Sequence, residues 1–219
     1  GHLPPSAFVL FLQNHDQIGN RAFGERLNQL APTQALQAAT VLLLLSPMIP
    51  LLFMGDEVAA QEPFLFFTSH QGELAEVVRQ GRRNEFAAFS AFADAAQRQR
   101  IPDPNAPSTF QASRPRPQSQ QAETTRELYR SLLRIRHREL IPRLPGAQAL
   151  DTRVLAEGAL SARWRLGDGS LLQIDLNLSA APLDHPAAGA VLFETPANLG
   201  AHLPAYSARV TLSPVGEHP

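Results

Sequence analysis

The 219-residue chain has no cysteine. Disulfide frameworks, thiolate nucleophiles and cysteine-based metal sites are therefore excluded. It also has no lysine: all 19 basic residues are arginine, set against 20 acidic residues for a net charge of −1. A chain this close to neutrality is not expected to bind nucleic acid by bulk electrostatics. The only methionines are Met48 and Met54, and Gly1 stands first, so the expectation is a portion of a longer protein. The first residues carry neither a basic region nor an apolar run of secretory type, and the expected location is cytoplasmic. The longest uncharged apolar stretch, Ala38 to Gly55, approaches the ~18 residues of a membrane span. Pro47 and Pro50 interrupt it and Asp56-Glu57 follow, so it reads as a helix, a break and a buried strand, not a span. What the chain does have is 44% hydrophobic residues, too many for wholesale disorder, and enough length for one large domain or two smaller ones.

Ala7 to Leu12 is apolar at every position, the pattern of a parallel strand covered on both faces. The polar cluster Gln13-Asn14-His15-Asp16-Gln17 follows at once. Thr33 is placed to cap a helix from Gln34 to about Leu45, ended by Ser46-Pro47. A second apolar strand, Pro50 to Met54, again ends in acids, at Asp56-Glu57. Strand, helix and strand at this spacing predict a βαβ unit. An aromatic loop spans Pro63 to His70, and helical patterning covers Glu73 to Gln80. Past Gly81 it continues with Phe86, Phe89 and Phe92 at three-residue spacing. Five prolines, at 102, 104, 107, 115 and 117, mark residues 101 to 122 as a long loop or linker. Thr124 and Glu127 match a capping box. The helix they predict carries Leu128, Leu132 and Ile135 on one stripe and Arg130, Arg134 and Arg138 on another, and stops near Ile141-Pro142. In the last 70 or so residues Ala162, Trp164 and Leu166 alternate with polar residues, as do Leu172, Ile174, Leu176 and Leu178. Gly167-Asp168-Gly169 lies between them, predicting a β-hairpin with one buried face. Ala208, Val210 and Leu212 form another alternating strand.

In parallel α/β sheets, function gathers at the carboxyl ends of the strands. Asn14-His15-Asp16 and Asp56-Glu57 occupy such positions. For Asp16 a functional carboxylate and an Asx turn satisfying backbone donors are both open readings. For Glu57 the structural reading is favoured. No pair of residues has the HExxH or CxxC spacing of a zinc site, and there is no Gly-rich phosphate loop or GxSxG elbow. No metal and no cofactor are expected. His137 and the arginine face of its helix read as solvated surface.

The run Phe8 to Gln17 resembles the segment that ends barrel strand seven in the α-amylase superfamily of glycoside hydrolases, an apolar strand followed by Asn-His-Asp. Ile18-Gly19-Asn20-Arg21-Ala22 and Gly24-Glu25-Arg26-Leu27 extend the resemblance, and Pro50 to Glu57 is similar to strand eight. Pro63 to Thr68 and Gly81-Arg82-Arg83-Asn84-Glu85-Phe86 continue it, followed by Pro102-Asp103-Pro104 and Thr109-Phe110. Taken together, these segments resemble the malto-oligosyltrehalose trehalohydrolase family of that superfamily. The resemblance implies an α/β fold: the C-terminal part of a (β/α)8 barrel followed by a small antiparallel β-sandwich domain. Residues 1–145 would hold the last two barrel strands and helices, and residues 146–219 the β domain.

The resemblance further implies cleavage of the α-1,4 bond beside a terminal trehalose unit of maltooligosyltrehalose. Such a malto-oligosaccharide would be the partner, with no nucleic acid and no membrane. Retaining glycosidases use two carboxyl groups, a nucleophile and a general acid. In the family these follow strands four and five, before the start of this chain, so this chain alone is expected to be inactive. Asp16 matches the third acidic position, which stabilises the positive charge developing on the reacting sugar. His15 matches a histidine that hydrogen-bonds the same sugar. Asn14, Gln17, Asn20 and Arg21 are the candidate substrate-binding residues, although Arg21 can instead pair with Glu25. Phe64, Phe66 and Phe67 are either sugar-stacking rings or core. One rival reading is another superfamily member, a branching enzyme or an amylase. A second is a non-catalytic carbohydrate-binding module, which needs exposed Trp or Tyr; the tail has only Trp164 and Tyr206, with Trp164 on the apolar face. A barrel portion on its own would also leave apolar strand faces around residues 7 to 54 open to water.

Overall fold

The computed structural model describes residues 3–116 and 120–214. In chain order the elements are β1 (Val9–Leu10), α1 (His15–Gly19), α2 (Leu27–Leu30), α3 (Thr33–Leu45), β2 (Ile49–Pro50), α4 (Gly72–Glu85), α5 (Ala95–Gln99), α6 (Pro107–Ala112) and α7 (Gln120–Ile135). The strands β3 (Gln148–Ala156), β4 (Ala159–Arg165), β5 (Leu171–Asn177), β6 (Leu183–Asp184), β7 (Ala190–Thr195), β8 (His202–Leu203) and β9 (Ser207–Ser213) follow. Contacts divide the chain into two compact units. One comprises Gly1–Leu12, Ala31–Leu52 and Glu123–Pro219; the other comprises Gln13–Leu30 and Phe53–Ala122.

In the first unit, β1 and β2 pair in parallel with α3 between them in the chain, the expected βαβ arrangement. Val9 lies opposite Ile49 and Leu10 opposite Pro50. Each strand is two residues long, shorter than the apolar runs 7–12 and 50–54. Regular pairing needs a hydrogen-bonded neighbour, and among the described residues the pair has no third strand. Helix α3 is apolar nearly all round, and Ala38, Val41, Leu43, Leu44 and Leu45 are buried. Pro32, not Thr33, is its N-cap; Thr33 is already helical and no side chain caps this end. Ser46 closes the other end, its N–H donating to Leu42 O.

Helix α7 begins at Gln120, so Thr124 and Glu127 lie within it and form no capping box. Glu127 instead pairs with Arg130 and lies 3.8 Å from Arg134. The apolar stripe is as predicted: Leu132 is fully buried, with Leu128 and Ile135 packed beside it. The helix passes into a π turn over Arg136–Leu140 and a 3₁₀ turn over Ile141–Arg143. Arg136 is buried in that turn. Its Nη1 donates to Leu44 O (3.0 Å) and Ser46 O (2.6 Å), and its Nη2 to Met48 O (2.6 Å). The guanidinium thus satisfies carbonyls at the C-terminus of α3 and along the segment that leads into β2.

Five antiparallel strands form the main sheet, in the order β3-β4-β5-β9-β7. The β4–β5 hairpin sets Ala162 opposite Ile174 and Trp164 opposite Leu172. These residues join Leu166, Leu176, Ala208 and Val210 in one core with α3 and α7. The hairpin was expected to bury a single face, but Asp175, Asn177, Ser207, Arg209 and Thr211 on the other face are buried too. The connecting chain covers them, tied down by polar side chains. Arg209 donates to the carbonyls of His185, Gly200 and His202 and to Glu194 Oε1. Asn177 Nδ2 donates to the carbonyls of Ala181, Leu203 and Pro204. The second sheet is the short β6–β8 pair. Leu178 lies beyond the end of β5 and is 40% exposed.

In the second unit, α4 ends at Glu85, with Phe86 as its C-cap, so Phe89 and Phe92 are not helical continuations. They still gather by shape: Phe86 lies 5.9 Å from Phe89 and 5.4 Å from Phe92, ring centre to ring centre. The proline-rich stretch is more ordered than a linker up to residue 116. It contains α6, started by Pro107, where the missing N–H is no loss. Residues 117–119 lie outside the described residues. A buried network joins three loops. Gln13 Nε2 donates to Asp56 Oδ1 (2.7 Å), while Gln13 Oε1 accepts from the N–H of Leu27 (3.0 Å). Asp56 Oδ2 accepts from the N–H of Phe53. Arg26 lies 4.0 Å from Asp56 and donates to the carbonyls of Met54 and Glu62.

Two outcomes follow from these anchors. Arg136→Met keeps a long stem but leaves three buried carbonyls without their donor. It is expected to destabilise the protein by about 2–3 kcal/mol, read as a lower urea midpoint with an unchanged slope. Burial pushes the Asp56 carboxyl above its ordinary value, against the hydrogen bonds from Gln13 and Phe53 and the charge of Arg26. Between the unfolded and folded values the native state holds a proton that the unfolded state has released. Stability from this group therefore declines as pH rises from the ordinary aspartate range. Asp56→Asn should flatten that decline in urea unfolding measured at several pH values from about 4 to 7; an unchanged slope would count against it.

Candidate functional site

The candidate site is built on α1, which follows β1 after a short connection. Asn14 is the N-cap, in extended conformation. Its Oδ1 accepts from the N–H of Asp16 (2.8 Å), and Gln17 Oε1 accepts from the N–H of Asn14 (2.9 Å). This reciprocal capping box starts a helix where the apolar strand ends. Ile18 and Gly19 are buried and anchor the turn from below. The side chains of His15 and Asp16 are left in the open, 68% and 67% exposed, with His15 Nε2 at 3.3 Å from Asp16 Oδ1.

This arrangement separates the two readings of Asp16. The residue that satisfies backbone donors is Asn14, through its own carbonyl oxygen. Asn14 and Gln17 thus hold the turn through their side-chain oxygens. Asn20 is the C-cap of α1 and its side chain is exposed. Arg21 donates through Nη1 to the main-chain carbonyl of Glu25 (2.7 Å) and not to its carboxylate. Glu57 has a structural bond, Oε2 accepting from the N–H of Gly55. Phe64 and Phe67 belong to an edge-to-face series running Phe53, Phe64, Phe67, Phe110, with centroid separations of 5.0, 5.6 and 5.3 Å. Phe66 is the exposed ring of the three, with the Arg82 guanidinium 5.1 Å from its centre.

Among the described residues, no group of three or more His, Asp or Glu side chains could hold a metal ion. No helix among them is long and apolar enough to cross a membrane. His137 is exposed. In the β domain Trp164 is buried and Tyr206 half-buried, so neither presents an open aromatic platform. Chemically, an exposed carboxylate beside an imidazole can bind hydroxyl groups and stabilise positive charge. Asp56 cannot serve as its partner acid, because it is buried and bonded to Gln13 and Phe53. The local sequence pattern does not mark Asp56, Gln13 or Arg82 as supports of this loop. The only signal for Arg82 was its place in the Gly81–Phe86 run.

The family model described as "Domain of unknown function (DUF3459)" matches residues 147–210, essentially the main sheet of the β domain. Three relatives are each named malto-oligosyltrehalose trehalohydrolase. The one from Deinococcus radiodurans is 46% identical over 136 residues, 60% of this chain and 22% of that protein. The one from Rhizobium sp. (strain M-11) is 39% identical over 194 residues, 86% of this chain and 31% of that protein. The one from Mycobacterium tuberculosis is 34% identical over 191 residues, 85% of this chain and 31% of that protein. The chain thus spans less than a third of the length of these relatives. A solved structure from Salmonella typhimurium, described provisionally as an alpha amylase, superposes with a TM-score of 0.84 at 39% identity. That superposition covers 96% of this chain and 36% of that one. An isomaltulose synthase mutant from Erwinia rhapontici NX5 superposes with a TM-score of 0.56 at 16% identity, over 94% of this chain and 43% of that one, which shows shared fold alone. Sequence and structure together place this chain in the malto-oligosyltrehalose trehalohydrolase family, among the α-amylase-type enzymes.

Proposed function

We propose that this chain is the C-terminal portion of a glycoside hydrolase that cleaves the α-1,4 bond beside the terminal trehalose unit of maltooligosyltrehalose, releasing trehalose. In this reading residues 1–145 are the last part of a (β/α)8 barrel and residues 146–219 its trailing β domain. The observation that carries it is the pairing of an exposed Asp16 and His15 on a turn whose backbone is pinned by Asn14 and Gln17. Asp16 is the transition-state stabiliser: its fixed negative charge gains strength as the sugar ring becomes cationic. His15 donates to a hydroxyl of the same ring. Asn14 is a further substrate-binding residue, and Gln17, Asn20 and Arg21 line the side where the leaving trehalose would lie. The nucleophile and general acid come from elsewhere in the longer protein. The apolar faces of the parallel pair support a barrel origin, because Phe8 and Val9 are 51% and 56% exposed where parallel strands are normally covered on both faces. The cytoplasm is the proposed compartment.

A second reading, a hydrolase of plain malto-oligosaccharides, is favoured by the likeness to the Salmonella protein. Incubating the full-length enzyme with maltooligosyltrehalose and with maltodextrin separates the two. Trehalose release from the first is expected, and equal release of glucose or maltose from both would sink the trehalohydrolase reading. In the same enzyme Asp16→Asn is expected to lower kcat by about 10³-fold or more while substrate still binds. Near-normal turnover would remove Asp16 from the role proposed. The 219-residue chain alone is expected to hydrolyse neither substrate; cleavage by the purified chain would contradict the placement of the carboxylate pair outside it.

A further inference from the structure

We propose that Arg82 is a positioning residue that holds the His15–Gly19 turn in its working geometry, an inference that rests on the reading of Asp16 and His15 above. Helix α1 has five residues, too few to be stable by itself. Both of its ends therefore need partners. The capping box supplies one. At the other end Arg82 Nη2 donates to the carbonyls of Gly19 (2.6 Å) and Arg21 (2.9 Å), which flank Asn20. The guanidinium lies against two rings, 4.7 Å from the centre of Phe86 and 5.1 Å from that of Phe66. Nη1 meets Glu85 at 2.9 Å, but that carboxylate is half-exposed and the pair explains little of the burial.

The choice of residue argues for a specific task. Helix α4 buries only two of its side chains, Ala75 and Arg82. An amphipathic helix ordinarily seats itself with leucine or alanine, and burying a guanidinium is unfavourable unless its donors are matched. Here they are matched by carbonyls at the C-terminal end of a helix, where the main chain carries partial negative charge. Arginine suits this place and lysine does not, because a planar fork can stack between rings while donating in its own plane. Arg79, one turn earlier, pairs outward with Glu76 and Asp103. With Arg82 absent, the carbonyl of Gly19 loses this donor, that of Arg21 keeps only the N–H of Gly24 (3.2 Å), and the turn frays toward Asp16. A shift of about 1 Å in a reacting group costs on the order of 10²-fold in rate.

The test uses the full-length protein with Arg82→Met, which keeps a linear stem between Phe66 and Phe86 and removes the donors. Hydrogen exchange at the amides of residues 16–21 should quicken at least about tenfold, with β4 and β5 unchanged. On maltooligosyltrehalose, kcat should fall at least about tenfold while KM moves by less than about threefold. Arg82→Lys should recover part of both, and Glu85→Gln should leave both within about twofold of the parent. Four results would overturn the inference: unchanged exchange at 16–21; quickened exchange with unchanged kcat; a lowered melting temperature with unchanged kcat per folded molecule; or Glu85→Gln reproducing the loss. Should Arg82→Met fail to fold, Arg82→Lys is read by the same two measures. If the parent enzyme releases no trehalose, the functional reading fails on that ground, and exchange still decides whether Arg82 holds the turn.

Discussion

Main-chain carbonyls in irregular segments must find donors once they are buried, and in this protein buried arginines supply them. Arg26 serves the carbonyls of Met54 and Glu62; Arg82 serves those of Gly19 and Arg21. Arg136 serves Leu44, Ser46 and Met48, and Arg209 serves His185, Gly200 and His202. Each sits where a helix ends or a long connection crosses a surface. None of these jobs suits an ammonium group, which is a point charge without a planar fork. A basic complement made only of arginine fits that use, although surface arginines such as Arg130 and Arg134 show that it is not the whole account.

The same constraint shapes the site. Asp16, the proposed acid, is left exposed, and the backbone of its turn is held by other residues. Asn14 and Gln17 do this at one end of α1, and Ile18 and Gly19 from beneath. Asp56 has the opposite fate: buried, hydrogen-bonded, with its carboxyl pushed upward, it organises three loops and is withdrawn from chemistry. Two aspartates after two apolar runs thus have different surroundings, one exposed and one enclosed in a hydrogen-bonded network.

Legibility varied with the range of the interaction. The β4–β5 hairpin could be read because alternation is local and one face had to be apolar. The stripe of α7 was equally plain, because Leu128, Leu132 and Ile135 recur with the helical period. The start of α7 was misplaced, because Thr124 and Glu127 satisfy a capping pattern that the helix runs straight through. Phe86, Phe89 and Phe92 mimic a helical face, yet the rings cluster across turns. Position at the end of an apolar run drew attention to Asn14-His15-Asp16, and the family resemblance, not the local pattern, picked out Asp16 and His15; nothing in that pattern showed that Asn14 would form the Asx bond.

By itself, the amino-acid sequence determined the β1–α3–β2 order, helices α4 and α7, strands β4, β5 and β9, the absence of thiol chemistry, and the loop that carries the candidate acid, but not β3, β7, α5 or α6. These depend on composition and on spacing along a few residues. Tertiary structure alone decided which acid is exposed, how short β1 and β2 become without further partners, and which arginines are buried. Those outcomes depend on what lies opposite each group after folding. Arg82 meets Gly19 across 63 positions of chain, and no local pattern encodes that meeting.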